Sequence, residues 1–262
     1  MNLENKRILI TGGSAGIGKA LIREFLQHGV QQIAVVGRKE AALEQLQREF
    51  PETPFLLLPG DVSKSEDLDR VMTQVSQRWG GLDLLINNAG VVSAGLLSEM
   101  REEDIISQIN INLTGLILLT KKALPLLKDS SEGGIINISS GYGYIAMPFY
   151  SVYAATKAGV RQFSDALRRE LAPHSIHVMT VYPSATDTPM METAVVDNMD
   201  TPEEVAKMSL EGLLAGEINV ILGGEERQRQ IQLNFNEPRK MDEIASASYK
   251  ALERRTAKHR SM

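Results

Sequence analysis

Short apolar runs alternate with amphipathic stretches of helical length along most of this chain, and that alternation restricts the fold more than any other feature. Apolar runs of about four to eight residues are typical of buried strands. Helices between such strands indicate a parallel sheet covered on both faces. We therefore predict one doubly wound α/β domain with a seven-stranded parallel sheet flanked by helices. The predicted strands are 7–11, 33–37, 55–58, 82–87, 134–139, 177–182 and 219–222, and the clearest helices are 18–28, 40–50, 65–78 and 156–171.

The composition excludes several classes of function. Hydrophobic residues make up 43% and charged residues 23% of the chain, which is usual for a soluble globular domain. The net charge of −5 argues against nucleic acid as a partner. The chain contains no cysteine, which excludes disulfides, thiolate zinc ligands and a thiol nucleophile.

No segment has the pattern of an export signal or a membrane helix. Charged residues lead directly into the first apolar run, which is unlike a signal peptide. The most apolar long stretch, 113–127, is interrupted by Lys121, Lys122 and Pro125. We expect a soluble, cytoplasmic protein without a membrane span.

The first predicted strand ends in a glycine-rich turn that opens into a helix. Its sequence is Thr11-Gly12-Gly13-Ser14-Ala15-Gly16-Ile17-Gly18. Glycines there permit a tight turn and let backbone N–H groups and the helix N-terminus approach a pyrophosphate. Tight packing alone is an alternative, but the position after the first strand of an alternating α/β chain favours a dinucleotide site.

Tyr153 and Lys157 stand one helical turn apart, and Ser140 lies upstream of them. Tyrosine is usually too weak an acid for proton transfer at neutral pH, but a neighbouring ammonium group stabilises its phenolate and lowers its pKa. The hydroxyl of Ser140 could hold a carbonyl oxygen in front of the phenol. These side chains are suited to protonating an oxygen while a hydride arrives from another group.

Together these motifs resemble the short-chain dehydrogenase/reductase family over roughly residues 6–190. Further positions match the family's sequence signatures: Asp61 and Val62, Asn87-Asn88-Ala89-Gly90, Asn112, and the loop from Pro183 to Thr188, with Ser184 where glycine is usual. The resemblance implies a Rossmann-like fold and catalysis by Asn112, Ser140, Tyr153 and Lys157. It implies cofactor contacts from Gly12, Ser14, Gly16, Ile17, Gly18, Arg38, Lys39, Asp61, Val62, Asn88, Ala89, Gly90, Tyr153, Lys157, Pro183, Thr186 and Thr188.

The second predicted strand indicates which cofactor is preferred. In this family an acidic residue at its end binds the adenosine ribose of NAD. Here that position is Gly37, followed by Arg38 and Lys39. Arg38 can make bidentate, charge-assisted contacts to a phosphate, which favours NADP(H). A solvated Arg-Lys pair is the alternative. The four histidines lack ligand spacing, so no metal site is predicted.

The expected substrate is a small carbonyl or alcohol compound held in an apolar pocket. Its predicted wall contains Tyr142, Tyr144, Met147, Phe149, Met190 and Met191, with a place in the core or an interface as the alternative for half of them. The last strand leads into Gly223-Gly224 instead of the Gly-Gln…Asp-Gly-Gly stretch of many bacterial members. That departure argues against a 3-oxoacyl carrier-protein reductase.

The composition changes after Gly224, where basic and acidic residues are mixed. We predict a dinucleotide-binding and catalytic domain over 1–224. Residues 225–262 are expected to form a charged tail, helical or partly disordered, that is not a separate domain. A solvated tail is the simplest interpretation, and an oligomer contact or a flap over the active site are alternatives.

Two further expectations concern assembly and the class of function. Helices around 103–126 and 151–171 correspond to those that pair across a two-fold axis in the family, which predicts a homodimer or homotetramer. A protein of this fold can also bind dinucleotide as a sensor or scaffold without turnover. The presence of all four predicted catalytic residues favours an enzyme.

Overall fold

The computed structural model describes residues 2–262 and contains one seven-stranded sheet in which every pairing is parallel. The strand order is β3-β2-β1-β4-β5-β6-β7. Since the order reverses between β1 and β4, the crevice at their carboxyl ends is the expected place for a ligand. The strands are β1 Arg7–Thr11, β2 Gln32–Gly37, β3 Leu56–Pro59, β4 Leu84–Asn87, β5 Gly134–Ile138, β6 His177–Tyr182 and β7 Asn219–Ile221.

Helices cover both faces of the sheet. Alternate residues of a strand point to opposite faces, so Ile8 and Ile10 pack on one side and Leu9 on the other. The first side is covered by α1, α2 and α7, and the second by α3, α5 and α6. The helices are α1 Gly16–Gln27, α2 Glu40–Glu49, α3 Ser65–Trp79, α4 Glu102–Ile109, α5 Leu116–Lys128, α6 Ser151–Leu171, α7 Pro202–Ala215, α8 Gly224–Asn236, α9 Pro238–Ala247 and α10 Tyr249–Thr256.

The doubly wound fold and its seven parallel strands are confirmed, with two local differences. The helix predicted from residue 156 begins at Ser151 and therefore includes Tyr153. The helix expected around 103–126 is interrupted by a π-helical segment, Asn110–Gly115. Gly115 allows a close approach there, because a Cβ on it would lie 2.3 Å from the carbonyl oxygen of Val62.

The last 38 residues fold back onto the main domain as α8, α9 and α10. The amide of Ser261 donates to the carbonyl of Val92, and the amide of Ala94 donates to the carbonyl of His259. The guanidinium of Arg260 donates two hydrogen bonds to the buried carboxylate of Asp104. Few apolar side chains anchor this segment, which explains why its composition suggests a solvated tail.

Across residues 2–262, none of the helices combines the length and the apolarity needed to cross a membrane.

Candidate active site

A cavity of about 460 Å³ lies at the carboxyl ends of the central strands. It is bordered by the glycine-rich turn, by the segment after β4, by Ser140 and α6, by the loop after β6, and by the C-terminal helices. Among the residues predicted to bind cofactor, Gly12, Gly16, Ile17, Asn88, Ala89, Gly90, Tyr153, Lys157, Pro183, Thr186 and Thr188 line this cavity.

The glycine-rich turn depends on its glycines for conformation and for space. Gly12 and Gly16 have φ angles of +67° and +50°, which side chains rarely adopt. A Cβ on Gly18 would lie 2.4 Å from the carbonyl oxygen of Gly12, so the helix can approach the strand only with glycine. The side-chain amide of Asn88 donates to the carbonyls of Thr11 and Gly12 and ties the turn to the end of β4.

The N-terminus of α1 is open to an anion. Its N-cap residue, Ala15, makes no side-chain capping bond, and the first turn holds no acidic residue. Backbone N–H groups at such a terminus lack partners within the helix and attract negative charge.

Arg38 and Lys39 lie at the carboxyl end of β2, outside the main cavity, and both are exposed. Neither forms an ion pair within residues 2–262. A Cβ on the adjacent Gly37 would lie 3.7 Å from the hydroxyl of Ser14. The two cations therefore stand beside the glycine-rich turn without a carboxylate to neutralise them.

Asp61 follows β3 and organises its own loop. Its carboxylate accepts from the amide and hydroxyl of Ser63, and its amide donates to Asp67. Asp61 does not cap the next helix, since α3 has Lys64 at its N-cap. Val62 does not line the main cavity; it borders a smaller one, together with Thr11, Asn87 and part of the π-helical segment.

Asn112 is buried in the π-helical segment and is tied to the segment after β4. Its side chain accepts from the amide of Val91 and donates to the carbonyl of Val91 and the hydroxyl of Thr156. A Cβ on Gly90 would lie 3.4 Å from Oδ1 of Asn112 and 3.6 Å from Nζ of Lys157. Gly90 therefore keeps open the space between these two side chains.

Ser140, Tyr153 and Lys157 converge on one wall of the cavity. Tyr153 and Lys157 are held one turn apart by α6, with Nζ of Lys157 5.7 Å from the centre of the Tyr153 ring. The ammonium group donates to the carbonyl of Ile138 at 2.9 Å. The hydroxyl of Ser140 accepts from the amide of Tyr142, which fixes its position after β5.

Burial dominates the ionisation of this pair. It raises the pKa of Tyr153 above the ordinary value of a phenol, and hydrogen bonding from Ser140 opposes that rise. It lowers the pKa of Lys157 to about 8. The lowering of the tyrosine pKa that the Tyr153–Lys157 spacing predicts is not found, because a charged phenolate is costly in a low-dielectric wall. At neutral pH the phenol is thus protonated.

The substrate wall differs in part from the predicted one. Tyr142, Met147, Met190 and Met191 line the cavity. Tyr144 instead packs on Tyr182 with ring centres 4.6 Å apart and lies under Arg161. Phe149 packs on Tyr249. These two positions of the prediction are wrong, since both rings pack against other side chains outside the cavity.

The C-terminal helices contribute a wall whose residues were not predicted from the sequence, although a flap over the active site was one of the alternatives for this segment. Arg227 and Gln230 of α8, Leu252 and Arg255 of α10, and His259 all line the cavity. The hydroxyl of Tyr150 lies 2.8 Å from Nδ1 of His259, whose Nε2 is 3.1 Å from the carbonyl of Met190. No local motif marks these residues, because only the fold brings 225–262 over the site.

No metal centre is evident in the part of the chain that the structure describes, residues 2–262. It holds no group of three or more His, Cys, Asp or Glu side chains that could bind an ion.

The chain is similar to known proteins in both sequence and fold. The family model for short chain dehydrogenase matches residues 6–198. The 3-oxoacyl-[acyl-carrier-protein] reductase FabG of Thermotoga maritima is 36% identical over 224 residues, covering 80% of this chain and 91% of that protein.

Solved structures share the fold and carry either cofactor. A short chain dehydrogenase from Burkholderia cenocepacia in complex with NADP has a TM-score of 0.82 at 26% identity, covering 94% of this chain and 99% of that one. A 3-ketoacyl-(acyl-carrier-protein) reductase from Brucella melitensis complexed with NADH has a TM-score of 0.76 at 26% identity, covering 85% and 98%.

Proposed function

Because the chain belongs to the short-chain dehydrogenase family, we propose that it transfers a hydride between NADP(H) and the carbonyl or alcohol group of a small molecule. The observation that carries this proposal is the convergence of Ser140, Tyr153 and Lys157 on a cavity that begins at the glycine-rich turn. The proposed proton donor, the hydroxyl that would position the substrate and the proposed dinucleotide site therefore border the same cavity.

The residues present fit a nicotinamide dinucleotide. The uncapped N-terminus of α1 and the glycines before it can take the pyrophosphate. Gly90 and the loop from Pro183 to Thr188 line the same cavity and would border the nicotinamide end. When bound, the nicotinamide supplies or accepts the hydride.

Tyr153 would hold and move the proton at the substrate oxygen. A protonated phenol suits the reductive direction, in which it donates as the carbonyl oxygen gains charge. The ammonium of Lys157 stabilises the phenolate that remains, and the Ser140 hydroxyl orients the carbonyl. Asn112 and Lys157 both border the space beside Gly90, where Asn112 would position a water that resupplies the proton.

Preference for NADP(H) over NAD(H) belongs to the same proposal. Arg38 and Lys39 are exposed beside the glycine-rich turn. The last residue of β2, where a carboxylate would repel a 2′-phosphate, is Gly37. Arg38 can pair with that phosphate through two parallel hydrogen bonds. The proposal extends to a homodimer or homotetramer, in which residues 1–224 carry the catalytic domain and 225–262 complete its wall.

The decisive experiment is Tyr153→Phe, which removes a hydroxyl and preserves the ring. Turnover of carbonyl compounds by NADPH oxidation should fall at least about 100-fold, the scale of a lost general acid, while calorimetric NADPH binding survives. Lys157→Met should weaken both, and Ser140→Ala should lower turnover alone. Tyr249→Phe is the matched control, because that ring lies outside the cavity.

Two outcomes would contradict the proposal. A Tyr153→Phe protein that keeps near-parent turnover would refute the role of the phenol. A parent protein that binds NADPH but oxidises none with a panel of aldehydes, ketones, 3-ketoacyl esters and quinones would point to a dinucleotide-binding sensor or scaffold instead.

A further inference from the structure

We propose that Arg227 and Arg255 recognise a carboxylate carried by the substrate in addition to its reacting carbonyl. This inference rests on the proposed function and narrows the class of substrate from an apolar carbonyl compound to an oxo acid. It assigns the C-terminal segment a role in specificity.

Both arginines reach the wall that holds the reacting groups. Arg227 lies in the first turns of α8 and lines the cavity with Ser140 and Tyr153. A Cβ on Gly141, the residue after Ser140, would lie 3.3 Å from Cζ of Arg227. The guanidinium group of Arg227 therefore stands beside the backbone that directly follows Ser140.

Arg255 approaches from the other end of the segment, in the last turn of α10. Burial raises the pKa of Tyr150 to about 12, and the positive charge of Arg255 opposes that rise. Burial also raises the pKa of Tyr142, opposed by the charges of Arg255 and Arg227. The rings of Tyr142 and Tyr150 have centres 6.2 and 6.4 Å from that of Tyr153. The two cations thus lie near the aromatic rings that pack around the proposed proton donor.

The cavity has no carboxylate to neutralise these charges. Its lining within residues 2–262 contains Lys157, Arg227 and Arg255 but neither Asp nor Glu. The chain as a whole has a net charge of −5, so this cationic wall does not follow from its composition. Elsewhere in the same segment, Arg229 pairs with Glu226 and Arg260 pairs with Asp104.

One donor in the wall lacks a partner. Nε of Arg255 is buried and has no hydrogen-bond partner among the described residues. A buried donor without a partner is unfavourable, and a charged one more so. An anion that accepts from this edge of the guanidinium group would satisfy it.

A carboxylate fits this wall better than a larger oxyanion. It is planar and pairs bidentately with a guanidinium fork. The same cavity of about 460 Å³ must also take the nicotinamide end of the cofactor, which leaves room for a compact group. The cofactor's own phosphates belong to the opposite end, at the N-terminus of α1 and near Arg38.

The test uses 3- and 4-formylbenzoate, each compared with its methyl ester, which keeps the aldehyde and removes the charge. The parent should prefer each acid over its ester in kcat/KM. Arg255→Gln and Arg227→Gln should each lower kcat/KM for the better acid by about 10- to 100-fold, the scale of a charge-assisted pair. The esters should change less than about 3-fold, and NADPH affinity should be unchanged.

Arg254→Gln and Arg229→Gln are matched controls on the same helices. Both side chains are exposed and neither lines the cavity, so both variants should behave like the parent. Melting curves of all four variants check that the fold is retained. Calorimetric binding of 4-formylbenzoate to the NADP-loaded protein gives a readout that does not depend on turnover.

The two proposals fail in different ways. Binding of 4-formylbenzoate that depends on Arg255, without any reduction, would uphold carboxylate recognition and refute the proposed reaction. Acids and esters that are reduced equally well by the parent would refute carboxylate recognition alone. A loss of NADPH affinity in Arg255→Gln as large as the loss of acid affinity would also overturn it, since the arginine would then serve the cofactor.

Discussion

The pairing of Arg260 with Asp104 should fasten the C-terminal segment over the cavity, and Arg260→Ala tests this directly. The Asp104 carboxylate is buried in α4 and accepts from Nε and Nη2 of Arg260 at 2.9 and 3.1 Å. The neighbouring backbone pairs with the segment after β4 through Val92 and Ala94. Loss of the ion pair should therefore loosen the last residues of the chain.

The free energy lost in Arg260→Ala can be worked out from the geometry of the Arg260–Asp104 ion pair. Hydrogen bonds to a charged group contribute about 1.5–3 kcal/mol. The Arg260 side chain is 49% exposed, so solvent screening reduces that value. Asp104 also keeps Arg101 at 2.6 Å and Ser93 at 3.0 Å, so its charge is not left uncompensated. We expect a net loss of about 1–2 kcal/mol for local opening.

Hydrogen exchange at the amide of Ala94, which donates to the carbonyl of His259, reports that opening. A loss of about 1–2 kcal/mol corresponds to exchange about 5- to 30-fold faster. If the whole domain is destabilised equally, its melting temperature should fall by about 2–8 °C. Arg254→Ala is the control, because Arg254 is exposed and donates to a backbone carbonyl of its own helix.

The loss of stability caused by Arg260→Ala should also depend on pH. Hydrogen bonding from Arg260 holds the pKa of Asp104 well below its ordinary value of 3.8. A depressed native pKa gives stability that is present above the unfolded pKa and is lost as pH falls toward the native one. The difference between parent and Arg260→Ala should be constant near neutral pH and shrink below about pH 4. Parent-like exchange at Ala94 in the variant would refute the fastening role.

The remaining predictions concern cofactor choice, the buried lysine and assembly. Arg38→Ala should weaken NADPH binding by about 10- to 150-fold and leave NADH nearly unchanged in calorimetry; equal affinity of the parent for both cofactors would contradict it. Because burial lowers the pKa of Lys157 from 10.5 to about 8, the folded state binds fewer protons between these values. The melting temperature of the parent should therefore rise relative to that of Lys157→Met between about pH 8 and 10.5. A difference in melting temperature that stays constant over this range would refute the lowered pKa of Lys157. Ile106 and Ile109 of α4 are 57% and 41% exposed, so Ile106→Asp should convert a dimer or tetramer to smaller species in light scattering; a monomeric parent would remove the premise.

Much of the fold was predictable because its signals are local. Strands such as Arg7–Thr11 and His177–Tyr182 agree with the predicted bounds, since a strand buried on both faces is a continuous apolar run. The start of α7 is also encoded locally, because Thr201 forms a reciprocal capping box with Glu204. The π-helical segment Asn110–Gly115 was not predicted, and its residues contact Val62 and Val91, which are distant in the sequence.

Some properties of the candidate site were likewise predictable from local sequence, and others depend on the tertiary structure. Tyr153 and Lys157 share one helix, so their spacing alone places them together. The pKa of Tyr153 could not be read from that spacing. Its direction depends on how deeply the ring is buried among Tyr142 and Tyr150, which is a property of packing.

The sequence by itself determined the parallel sheet, the glycine-rich turn and the pair of Tyr153 and Lys157, because each is encoded in a short stretch with its own period or spacing. Only the tertiary structure decided which residues of the C-terminal segment lie opposite the glycine-rich turn and the pair of Tyr153 and Lys157. His259 meets Tyr150 across 109 residues and Arg260 meets Asp104 across 156, and no periodicity within 225–262 records such distant partners. The wall that we propose to select the substrate is therefore a product of how this polar segment folds back over the sheet.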